Sequence, residues 1–157
     1  MEQQLIAVVD GSRARYFSVG TRNTPNGEEK NMLTEVETLV NPENRLKDGE
    51  IWAESRPGTR AAASGATAHG VDDRRDAHHA ETERKFAKQV LSRMAELINE
   101  SEVTYAILAA GPKMLGHLRD NRGLLPRVDV GELPKHLTEL SAHDLCLRLE
   151  SADLLHC

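Results

Sequence analysis

The chain has 157 residues, which suits one domain rather than two. With 39% hydrophobic and 29% charged residues it has the mix of an ordinary globular protein, and a net charge of -5 argues against broad non-specific binding to polyanions. Two Tyr, two Phe and one Trp leave no rows of rings for a base-stacking platform or an aromatic sugar cleft.

Leu5-Ile6-Ala7-Val8-Val9 is a short continuous apolar run, the signature of a strand buried on both faces. Asp10-Gly11-Ser12 is a turn signal, and Ala14 to Val19 reads as a second strand in hairpin with the first. Residues 20–31 carry Gly20, Asn23, Pro25, Asn26 and Gly27 and are predicted as a loop. Met32 to Val40, with Leu33, Val36 and Leu39, predicts a third strand and so an antiparallel meander.

Asn41-Pro42 then opens a polar stretch. A Gly/Ala/Ser-rich segment at about 53–75, centred on Ala61 to Gly70, has no face to bury and is expected to be a mobile surface loop, functional or simply disordered. Asp76 is expected to cap the strongest helix, whose stripe runs through Phe86, Val90, Met94 and Leu97. Tyr105 to Ala110 returns as a buried strand ended by Gly111-Pro112. Met114 to Arg119 predicts a short helix, Arg127 to Val130 a strand and Ala142 to Leu149 a closing helix. The order β-β-β-α-β-α-β-α predicts one α/β domain spanning 1–157. Its expected sheet is five-stranded and mixed, with ribonuclease H-like topology and right-handed crossovers.

Residues 1–10 show no basic region followed by a long apolar stretch, and no window approaches the roughly 18 apolar residues a membrane span needs. Cys146 and Cys157 are too few for a secreted disulfide framework. A cytoplasmic protein without membrane contact is expected.

Six segments in one order resemble the bacterial host-attachment proteins, and the likeness covers almost the whole chain. They are Val9-Asp10-Gly11-Ser12-Arg13-Ala14-Arg15, Asn41-Pro42-Glu43-Asn44-Arg45 and Ser55-Arg56-Pro57-Gly58. The others are the helix with His79, Glu83 and Phe86, then Ala110 to Gly116, then Leu137-Thr138 with the final helix. Ser55 stands where the family pattern has Asp, so a role for that acid does not carry over. The family is in turn similar to the central domain of eukaryotic and archaeal peptide-chain release factors and Pelota. That likeness implies a release-factor central-domain-like fold, with a loop and long helix where release factors carry Gly-Gly-Gln. The loop here holds no Gln, so the chemistry of peptide release is not expected.

Three constellations are candidates for function. Asp10, with Glu37 and Asp129, could form the convergent carboxylates of a metal-dependent nuclease, although Asp10-Gly11 is read first as a hairpin turn. His79 and Glu83 have i, i+4 spacing and are weak metal candidates, against a solvated helix start with acids near its positive end. No cofactor is expected, because GxSxG, GxxxxGK[ST] and GxGxxG are all missing.

The strongest signal is basic. Lys+Arg against Asp+Glu is 18 against 19 in residues 1–128 but 2 against 6 in residues 129–157. Arg13 and Arg15 flank the hairpin, Arg45, Arg56 and Arg60 approach the loop, and Arg74, Arg75, Arg84 and Lys85 start the helix. Gathered on one face, they would contact phosphates of ribosomal or transfer RNA; interleaved with Glu54, Asp72 and Asp73, they would be a mixed-charge surface. The sequence therefore reads as a translation-associated, non-catalytic binding protein. Its alternatives are a factor acting indirectly in attachment to host cells and a nuclease. Oligomeric state is left open.

Overall fold

A computed structural model describes residues 3–43 and 65–155, with only the backbone described for 65–76. The order of elements is β1 (Gln4–Val9), β2 (Arg13–Asn23), β3 (Glu29–Val40), α1 (Gly65–Ser101), β4 (Tyr105–Ala110), α2 (Pro112–Asp120), β5 (Asp129–Leu133) and α3 (Ala142–Ser151). This is the predicted order, in one α/β unit with a mixed five-stranded sheet. The sheet runs β3-β2-β1-β4-β5. β2 is antiparallel to both neighbours, and β1 is parallel to β4 and β4 to β5.

β1 and β4 lie at the centre, which explains why both are uninterrupted apolar runs. Leu5, Ala7 and Val9 of β1 point to one face, where α1 and α2 supply Phe86, Val90, Met94, Leu115 and Leu118. Ile6 and Val8 point to the other, where α3 supplies Leu145, Cys146 and Leu149. Two cores therefore sandwich one sheet. Tyr16 donates its buried hydroxyl to the Val90 carbonyl at 2.8 Å, pinning β2 to α1.

Boundaries differ from the sequence reading where apolar pattern is weak. β2 and β3 extend their ladder to Asn23 and Glu29, so the expected loop at 20–31 shrinks to a turn closed by Thr24 and Glu28. Backbone pairing between exposed residues leaves no apolar trace. Gly27, at φ 86, takes the left-handed conformation this turn needs. The α1 backbone begins at Gly65, ahead of the start expected at Asp76. The rest of the expected loop, 53–64, lies outside the described residues. β5 lies slightly later than expected because Gly131 and Glu132 break its apolar pattern. Gly131 is required there, since a Cβ would lie 2.3 Å from the Tyr105 hydroxyl oxygen.

One irregularity in β3 positions two ion pairs. The β2–β3 register shifts between Tyr16 and Phe17, which oppose Glu37 and Glu35 respectively. Val36 is the extra residue of a β-bulge. In a regular strand with Val36 paired, Glu35 and Glu37 would share a face. With the bulge, Glu35 joins Arg15 on the α3 face and Glu37 joins Arg93 of α1 on the other.

Candidate functional site at the carboxyl edge of the sheet

The carboxyl ends of adjacent parallel strands are where α/β sheets place their sites. At that edge β1 ends at Val9 and β4 at Ala110, which are register partners. The Asp10–Ser12 turn leaves β1, and Gly111 begins α2. Oδ1 of Asp10 accepts from the Ser12 amide at 2.8 Å, the Ser12 hydroxyl at 2.8 Å and the Arg13 amide at 2.9 Å. Oδ2 accepts from the hydroxyl of buried Thr138 at 2.6 Å. Burial pushes the Asp10 carboxyl up, but bonds from Thr138, Ser12 and Arg13 outweigh it and hold its pKa below 3.8. The carboxylate is thus ionised and engaged on both oxygens.

The arginines after the turn complete the clasp. Arg13 donates to the Thr138 carbonyl at 2.8 Å and to Glu139 at 3.1 Å. Arg15 donates to the carbonyls of Thr138 and Leu140 at 2.9 and 2.7 Å, and bidentately to Glu35. Its hydrogen bonds to Glu35 hold Arg15 above, and Glu35 below, their ordinary pKa values. Buried Asn41 donates to the Gly11 carbonyl at 3.0 Å and accepts from the Glu43 amide. Residues 137–141 are thereby tied across the edge, and α3 starts from them under a Ser141 cap.

Two glycines make the edge compact. A Cβ on Gly11 would lie 3.2 Å from a carboxylate oxygen of Glu83, and one on Gly111 only 2.1 Å from the His136 ring. His117 brings Nε2 to 3.9 Å from Glu83, and that buried nitrogen has no hydrogen-bond partner among the described residues.

The predicted site residues separate into several places. Asp10 stands at the carboxyl end of β1. Asp129 opens β5 opposite Tyr105, at the far end of the sheet. Glu37 lies mid-strand, held below the ordinary carboxylate range by its hydrogen bonds to Arg93. These three carboxylates are not brought together. His79 sits one turn from Glu83 on α1, and no group of three metal-ligating residues forms among the described residues. Arg13 and Arg15 face inward to the clasp. Arg84, paired with Glu81, and Lys85 are exposed on α1. Arg74 and Arg75 belong to the α1 backbone without described side chains. Arg45, Arg56 and Arg60 lie outside the described residues.

A family model described as "Protein required for attachment to host cells" matches residues 5–149. The chain belongs to this host-attachment family. No curated protein matches the chain. In this host-attachment protein, four of the segments that carried the resemblance meet at the edge just described: the Asp10 turn, Asn41, Gly111 and Thr138. A fifth, on α1, reaches it through Glu83. Their described contacts clasp the fold. Sequence reasoning missed Thr138 as the partner of Asp10, and His117 and His136 as edge residues. Nothing local links residues 128 positions apart; Asp10 and Thr138 share only that both lie in segments carrying the family resemblance.

Proposed function

We propose that this host-attachment family protein is a non-catalytic cytoplasmic binding protein that contacts ribosomal or transfer RNA through phosphates. Its family's effect on attachment to host cells is then indirect. The observation that carries this reading is the length of α1. The helix spans 37 residues, yet its first buried described side chain is Thr82, and Glu83 already lies at the carboxyl edge. At 1.5 Å per residue, the part from Gly65 to Glu81 reaches about 25 Å further. That stretch holds no apolar stripe to bury, and Arg74 and Arg75 stand in it among Asp72, Asp73, Asp76 and Glu81. Lys85 and Lys88 follow it as exposed cations, beside Arg84 paired with Glu81. A rod of this kind suits a groove lined by phosphates and needs no aromatic stacking.

Strand order supports a ribonuclease H-like topology, since β2 alone is antiparallel in β3-β2-β1-β4-β5. The long helix between β3 and β4 supports the likeness to release-factor central domains and Pelota. A nuclease would need Asp10, Glu37 and Asp129 at one point, and the sheet register holds them apart. Filter binding of transfer RNA and ribosomal RNA over a salt series tests the proposal. Wild type should bind with an affinity that falls as salt rises, and a charge reversal at Arg74, Arg75, Arg84 and Lys85 should lose it. Equal, salt-insensitive retention of both proteins would refute it.

A further inference from the structure

Residues 129–157 hold six acids and only two bases, Lys135 and Arg148. The fold brings these two bases to one place. Both line a hollow of about 310 Å³, together with Leu133, Ser151 and Ala152. Lys135 is fixed there by a tight turn after β5, its amide donating to the Leu133 carbonyl at 2.9 Å. On its other side Arg148 lines a second hollow of about 350 Å³ with Leu140, Asp144, Leu147 and Ser151. Two acids of the segment are engaged elsewhere, Glu132 with Arg119 and Glu139 with Arg13. Neither Lys135 nor Arg148 has an ion pair among the described residues. Leu147, on the same helix, is 50% exposed, although the outer face of a surface helix is ordinarily polar.

We propose that the two hollows form one docking groove for a peptide segment of a partner protein. The segment places an acidic side chain between Lys135 and Arg148, and an aliphatic side chain beside it against Leu140 and Leu147. Charge complementarity selects the acid, because the only two cations of a strongly acidic segment converge there. The leucines select peptide over nucleic acid, since a phosphate backbone offers nothing to cover them. Asp144 at the far end sets the direction, favouring a base or hydroxyl after the aliphatic residue. The groove lies on the α3 face, across the sheet from α1, so it is independent of the RNA proposal.

The test is to pan a random seven-residue peptide library on the immobilised protein and measure the enriched peptides free in solution by fluorescence anisotropy. Enriched sequences should pair an acid with a neighbouring aliphatic residue. The double substitution Lys135→Glu/Arg148→Glu should weaken their binding at least tenfold, and Leu147→Ser should weaken it as well. Arg22→Glu, at an exposed site on the distant β2–β3 hairpin, should leave it unchanged. All these positions are exposed, so the variants should keep the wild-type melting temperature. The proposal is overturned by a selection without acids, by equal binding to the double variant, or by an RNA oligonucleotide whose binding alone depends on Lys135 and Arg148.

Discussion

Replacing Asp10 by Ala removes the acceptor of four hydrogen bonds at once. Bonds to a charged acceptor contribute about 1.5–3 kcal/mol each when the partner cannot turn to water. Water can replace the bonds at exposed Ser12, so the main losses are at the Arg13 amide and the buried Thr138 hydroxyl. The expected destabilisation is about 3 kcal/mol, or roughly 6–12 °C for a domain of this size. Asp10→Asn keeps one acceptor and loses the charge, and should cost about 1–2 kcal/mol. The sign of the pH effect follows from the direction of the shift. The folded-state pKa of Asp10 lies below its ordinary value of 3.8, so its stabilisation is present above that value and lost as pH falls through the folded pKa. Glu35 and Glu37 shift the same way, but they are common to both proteins and cancel in the difference. Urea unfolding of wild type and Asp10→Asn from pH 7 down to about pH 2 should therefore show a gap that narrows in acid. A gap of constant size would refute the assignment of Asp10 as an ionised clasp.

Deleting Val36 removes the bulge yet leaves Glu35 and Glu37 as neighbours on opposite faces, so the pairs with Arg15 and Arg93 should persist and thermal unfolding should show only a small change in melting temperature. Leu108→Ala, in the fully buried centre of β4, should cost about 2–5 kcal/mol by chemical denaturation. Gly111→Ala should displace the His136 ring, since a Cβ would meet it at 2.1 Å; the His136 imidazole NMR signals should move while the fold persists.

Legibility in the sequence followed burial. β1 and β4 were readable because both faces are covered, and the carboxyl-terminal part of α1 because Phe86, Val90 and Met94 form a stripe. The ends of β2 and β3 and the start of α1 were not, because backbone hydrogen bonds there are made without apolar side chains. Glu35 and Glu37 look equivalent two residues apart, and only the bulge at Val36 sends them to opposite faces. Arg13 and Arg15 read as phosphate contacts by charge, whereas the structure gives them carbonyls and carboxylates of residues 35 and 138–140. Those partners are distant in sequence, so no spacing rule reveals them. The charge split between residues 1–128 and 129–157 was visible from counting alone. Its convergence at Lys135 and Arg148 required the fold.

The exposed cations of α1 are proposed to meet phosphates. That proposal is tested most directly by sedimenting native lysate through a sucrose gradient at low and high salt, with wild type and the Arg74, Arg75, Arg84 and Lys85 charge reversal. Wild type should travel with ribosomes at low salt and leave them at high salt, or else remain in the light fractions and retain transfer RNA on affinity capture at low salt only, while the charge reversal holds neither RNA. Wild type free of both ribosomes and transfer RNA at low salt, or the two proteins behaving alike, would contradict the proposal.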